Sequence, residues 1–309
     1  MIGRLIRCWV TPTVLVLLVR TAAADPITFT GNVPADFGYT VTNGVPSSST
    51  NSAVDIIQHS TSPVHIAQPA WMTSAGLVSG WNINNIAVAY NSQNDTLYVG
   101  VNTFGIAGNV DGNGTPGTPN PQLTAAGGSD PANFGGDKSM AVGIAPLNGS
   151  TFNASNPPAP TIVAGVPGDK SQVGPGVDGF NVATYAPRGS SLGPNYDLVT
   201  SFGSTIAAAN VGAAGGSNLA FDPSAAHPGF EFSIANFSKL LGYDPLKGFV
   251  LSTQDGSINS IVTGKDYVPS TLVTFPQAQN LPEPTTWLAW ALMAGGVGWR
   301  YRRRLAGQR

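Results

Sequence analysis

Glycine and proline cut this chain so often that hardly any stretch is long enough for a helix, with 38 glycines and 25 prolines among 309 residues. An average helix needs about 11–12 uninterrupted residues, and an average strand about half that. Between the breaks lie short runs rich in β-branched and aromatic residues, at 27–30, 37–42, 83–90, 97–104, 140–144, 161–163, 180–185, 230–234, 249–252 and 258–262. Many short strands joined by Gly/Pro-rich turns predict an all-β protein, a β-sandwich of jelly-roll type. Ile86, Val88 and Tyr90 share one face of their run, as do Leu97, Val99 and Val101, and residues 91–95 between them form a turn cluster. That pair is expected to be an antiparallel hairpin. Helical signal is confined to 205–211 and 235–241, the second with Asn236 or Ser238 available for capping. No internal repeat of fixed period is evident, and the Gly/Asn/Ser-rich stretches 43–52, 105–128 and 213–217 read as surface loops.

The ends of the chain differ from its middle. Arg4 and Arg7 precede a mainly apolar stretch, 8–19, and Ala22, Ala23 and Ala24 offer a small-residue cleavage site before Asp25. Residues 1–24 therefore read as a signal peptide. Cys8, the only cysteine, lies inside it, so the mature protein is expected to lack disulfides, thiol catalysis and cysteine-bound metal. Stability must then come from the core or from bound ions. Residues 25–268 read as a single ectodomain and 269–281 as a linker.

At the other end Pro282, Glu283 and Pro284 form an extended, rigid tripeptide. An uncharged stretch from Trp287 to Trp299 follows, and then Arg300, Arg302, Arg303 and Arg304, which fix the C-terminus in the cytoplasm by the positive-inside rule. This order over 282–309 resembles the PEP-CTERM sorting domain, which exosortases of Gram-negative, exopolysaccharide-producing bacteria recognise and process. The resemblance implies an exported protein with an exosortase as partner. It would sit in the inner membrane transiently and then at the cell surface or in the extracellular matrix, in a structural or exopolysaccharide-associated role. The apolar stretch falls short of the roughly 20 residues of a comfortable transmembrane helix. A cleaved, temporary anchor can be short.

Between Asp25 and Asn280 there are six basic and fifteen acidic residues, a net charge of −9. Such a surface argues against nucleic acid, whose phosphates need basic patches. It permits divalent cations or simple solubility. The loop from Asn109 to Gly114 places Asn109, Asp111 and Asn113 at alternate positions before a glycine, like the opening of a calcium loop, in which a hard cation takes converging oxygens. The pattern is incomplete, since Asn120 stands where a bidentate Glu belongs. A calcium site would therefore need a further carboxylate such as Asp130 or Asp137, and the alternative is an Asx-rich turn.

Catalytic signals are thin. Gly189-Ser-Ser191-Leu-Gly193 fits a nucleophile elbow, but prolines bracket it, and two G-x-G-x-x-G matches carry internal prolines. His59, His65 and His227 form no recognisable local motif, and Glu231 reads as a solvent-facing charge on an apolar strand. Trp71 and Trp81, with several tyrosines, offer a stacking platform for sugar rings; the favoured alternative is that Trp81 and Tyr90 are core residues filling the space between sheets, since large aromatics are mostly buried. The expectation is a non-catalytic surface or matrix protein. A calcium-assisted carbohydrate-binding module is the second reading and a secreted hydrolase the third.

Overall fold

A computed structural model describes residues 27–51, 53–115, 117–128, 130, 139–147, 149, 151–168, 180–187, 198–207, 228–256 and 266–275. They belong to one compact unit, Ala23–Pro276. The signal peptide, the sorting tail and the run 258–262 lie outside the described residues.

Strand dominates the regular structure among the described residues. Two strands, β1 (Val41–Thr42) and β2 (Val45–Pro46), form a small ribbon. Strands β3 (Val54–Gln58), β4 (Ile83–Asn91), β5 (Thr96–Thr103) and β10 (Phe230–Ala235) make an antiparallel sheet in the order β10-β5-β4-β3. The remaining strands are β6 (Met140–Pro146), β7 (Ile162–Val166), β8 (Asn181–Tyr185), β9 (Phe202–Ala207), β11 (Phe249–Asp255) and β12 (Asp266–Val273). They form a second antiparallel sheet in the order β12-β11-β6-β7-β8-β9. Four short helices, α1 (Val33–Asp36), α2 (Ala70–Ser74), α3 (Pro121–Ala125) and α4 (Phe237–Leu241), lie in the connections among the described residues.

Period-two burial explains the pairing. Tyr90 sits opposite Leu97, Val88 opposite Val99 and Ile86 opposite Val101, so the apolar sets of the β4–β5 hairpin fall on one face in register. That face joins Phe230, Phe232 and Ile234 of β10 in a cluster that also takes Met140, Val142, Ile144, Ile162, Ala164, Val182, Phe249 and Leu251 from the other sheet. Each fully buried Ile, Val or Phe contributes roughly 1.5–3 kcal/mol. The opposite faces are covered too. Ile27, Phe29, Val33, Phe37 and Tyr39 pack on Ala87, Ala89 and Tyr98, while Leu198, Val199 and Phe202 pack on Ala141, Val163 and Ala183. Cover on both sides explains why every residue of β4, β5, β6 and β7 is buried.

Some elements depart from expectation. Residues 27–30 form no strand although Ile27 and Phe29 are buried, because this segment serves as a lid on β4 and β5. Of 37–42, only Val41–Thr42 is strand. The expected helix at 205–211 begins instead as strand β9, since Thr205 and Phe202 pair with Ala183 and Tyr185 and tertiary pairing overrides weak helical propensity. The expected linker from 269 is still strand. β12 runs to Val273 along β11, and Val268, Val273 and Phe275 enter the core. Strand β3 carried too little alternation to be read from sequence. Among the described residues no helix is long and apolar enough to cross a membrane.

Candidate functional site

Two histidines and an aspartate converge at one end of the β3–β4 pair. His59 directly follows β3. A turn through Ser60, Ser62 and Pro63 brings His65 back beside it, held as the Ser62 amide donates to Ser60 Oγ at 3.1 Å and the Val64 amide to Ser62 Oγ at 3.3 Å. The imidazole rings meet edge to face, with centroids 5.0 Å apart and planes at 78°. Phe104, just beyond β5, backs His65 at 6.2 Å. At the start of β4 the register with β5 shifts between Ile83 and Asn85. On the β3 side the register that pairs Gln58 with Asn85 continues, so the Asn84 carbonyl accepts the His59 and Ser60 amides at 3.0 and 3.1 Å.

Asp266, the first residue of β12, completes the group from the other sheet. His59 Nε2 lies 2.9 Å from its Oδ1 and His65 Nε2 lies 2.7 Å from its Oδ2. Two amides also donate to it, Tyr267 to Oδ1 and Ile83 to Oδ2, both at 2.8 Å. Asp266 is 4% exposed, whereas His59 and His65 are 17% and 19% exposed, so the carboxylate is buried and the rings reach solvent. Burial opposes ionisation of Asp266, but hydrogen bonds from His59 and His65, the charge of His59 and the Ile83 amide outweigh it and bring its pKa down to about 2. Burial likewise opposes protonation of His65. The Asp266 and Ser62 hydrogen bonds prevail and raise its pKa above the ordinary histidine value.

Behind Asp266 stands a second carboxyl. Asp255 on β11 is its register partner, fully buried, and its Oδ1 accepts the Asp266 amide at 3.2 Å while its Oδ2 has no hydrogen-bond partner. Burial first, and then the charge of Asp266, push the pKa of Asp255 well above the carboxylate range. Among the described residues His59, His65 and Asp266 form the one group of three or more His, Cys, Asp or Glu able to share a metal ion, with their donor atoms within 4.8 Å of one another. Chemically the set offers two imidazoles and one carboxylate. That mixture suits borderline transition metals, or an imidazolium–carboxylate ion pair.

The Asn109 loop folds as a buried polar knot. Asp111 is fully buried and accepts the Asn113 amide at Oδ1 (3.1 Å) and the Asn120 amide at Oδ2 (2.6 Å). Asp130 folds in, as a calcium site would require, yet its two oxygens accept the Val110 and Gly117 amides at 3.1 and 3.0 Å. Asn113 Oδ1 accepts the Thr115 amide at 2.8 Å. Gly112, at φ +65, lets the loop pass against Val78, where an added Cβ would lie 2.2 Å from the carbonyl oxygen. Asp137 lies outside the described residues.

The aromatic platform is not formed as envisaged. Trp81 is fully buried in the large apolar cluster that takes residues from both sheets, and Trp71, on α2, packs half-buried against the same cluster. Tyr90 and Tyr98 are buried as well, because β4 and β5 are covered on both faces. A ring in the core cannot stack on a sugar. Glu231, expected at the surface, is 1% exposed: the segment carrying Phe29 and Gly31 lies over it, and its Oε2 accepts the Gly31 amide at 2.6 Å. Pro282, Glu283, Pro284 and the arginine cluster lie outside the described residues, as does His227.

No sequence motif joins His59, His65 and Asp266. Two histidines six residues apart and an aspartate some two hundred residues on have no motif; only the pairing of β12 with β11 and its approach to β4 bring them together. The chain matches no protein-family model, no curated protein and no solved structure.

Proposed function

We propose that this is an exported cell-surface or extracellular-matrix protein of a Gram-negative bacterium, sorted and processed by an exosortase, with a β-sandwich ectodomain in a non-catalytic, exopolysaccharide-associated role. The observation that carries the reading is the order of signals at the C-terminus: Pro282-Glu283-Pro284, an uncharged stretch, then Arg300, Arg302, Arg303 and Arg304. Supporting it, the compact unit Ala23–Pro276 occupies the interval between the expected signal-peptide site and the sorting tripeptide. A sandwich is favoured because one apolar cluster draws on a face of each sheet. In this mechanism the arginines hold the tail on the cytoplasmic side. The protease then cuts at the extended proline-flanked segment and releases the ectodomain outside.

The test is to express Glu283→Ala beside the wild type in an exosortase-positive host and in the same host lacking the enzyme. Wild-type protein shortens and leaves the inner membrane only in the first host, and the variant keeps its full length in both. Release of the variant at the wild-type rate would remove the sorting assignment.

A further inference from the structure

The His59, His65 and Asp266 group lies in the ectodomain and does not depend on the sorting tail. The Ser62 carbonyl lies 2.9 Å from His65 Nδ1, and a carbonyl only accepts, so Nδ1 carries the proton. The other nitrogen, Nε2, then points its lone pair at a carboxylate oxygen 2.7 Å away. Two electron-rich atoms at that distance repel unless a cation lies between them. A proton or a metal ion can fill that role.

Two observations favour the metal. A ring N–H given to a backbone carbonyl is the usual outer-shell arrangement of a metal-bound histidine, since it fixes the tautomer and aims the other nitrogen. His59 Nε2 meets the second oxygen of the same carboxylate, so three donor atoms converge from two sheets where a single ion pair needs two.

We propose that His59 Nε2, His65 Nε2 and the Asp266 carboxylate are the protein ligands of a divalent transition-metal ion of the zinc class, which fastens the first residue of β12 to the β3–β4 end of the other sheet. Two imidazoles select a borderline ion over calcium, which takes oxygen ligands only. Bonds of about 2.0–2.2 Å require the donors to stand roughly 3.3 Å apart, a spread of about half an ångström from their present contacts. The partly exposed rings leave the fourth position to water. A staple of this kind gives an exported β protein without disulfides a cross-link between its sheets.

The experiment uses the full chain, purified in mild detergent, stripped with chelator and titrated with Zn(II) and with Co(II). Wild-type protein should take one equivalent of Zn(II), and Co(II) should give the visible absorption of a tetrahedral site. X-ray absorption should report imidazole in the first shell. At free Zn(II) about 100 times Kd, the melting temperature should rise by roughly 5–10 °C. The His59→Ala/His65→Ala double variant should bind at least about 100-fold more weakly, while Asp111→Asn binds like the wild type. If the double variant does not fold, the X-ray absorption of the wild type still reads the ligands directly. Failure of the wild type to bind an equivalent, or a first shell without imidazole, would overturn the proposal and leave a proton as the cation between His65 and Asp266.

Discussion

Asp95 holds the first turn of α4 from the far end of the β4–β5 hairpin: its Oδ1 accepts the Ser238 amide and its Oδ2 the Ser238 hydroxyl, each at 2.8 Å. The residue at the helix start, Asn236, adopts a left-handed conformation and makes no side-chain cap, so the capping role passes to a residue remote in sequence. Tyr90 also donates to Asp95 Oδ1 at 2.8 Å, tying hairpin and helix together.

Asp95→Ala should therefore lower the unfolding free energy by about 2 kcal/mol, combining a lost cap with an Ala forced to φ +51. Asp95→Asn should cost less, because Asn tolerates that φ and keeps one acceptor. Ser238→Ala should cost about 0.5–1.5 kcal/mol. Denaturant titration of the three variants gives the order. Equal losses for Asp95→Ala and Ser238→Ala would mean that packing alone holds α4.

Glu231 makes stability depend on pH in a direction opposite to most carboxylates. Burial first, and then the charge of Asp36, push its pKa from an ordinary 4.5 up to about 9. Between those values the folded chain keeps a proton that the unfolded chain has released. Its contribution to stability therefore falls as pH rises through that window, by up to about 1.4 kcal/mol per pH unit. Glu231→Gln removes this titration. The stability of the wild type relative to the variant should decline steadily from pH 5 to pH 9 in parallel denaturation series. A constant difference would place the ionised carboxylate in the folded state.

Asp111 is predicted to act through the amides it accepts. Asp111→Asn should lower the melting temperature by a similar amount in calcium and in chelator, since the Asn113 and Asn120 amides lose a charged acceptor in both. Calorimetry under the two conditions separates this from the calcium-site reading. A calcium-dependent rise in the wild type that vanishes in the variant would favour the ion instead.

How much could be read in advance follows from the range of each interaction. The β4–β5 hairpin was legible because alternation and a turn cluster are local, and its register came out as the apolar pattern demanded. The α4 turn was legible in place but not in its cap, because Asp95 is over a hundred residues away. The burial of Glu231 is not legible in the sequence because a strand's outer face is solvent-exposed only if nothing covers it, and the cover here is an irregular segment without periodicity.

By itself, then, the sequence determined the β class, the punctuation into short strands, the acidic middle and the signals expected at both ends, all properties of neighbouring residues or of composition. Only the tertiary structure decided that Trp81 belongs to the core, that 269–273 completes an edge strand, and that Asp266 reaches His59 and His65. The physical reason is that burial and donor convergence depend on which strands pair and which sheet faces meet. Those contacts join residues as much as two hundred positions apart, and no local pattern encodes them.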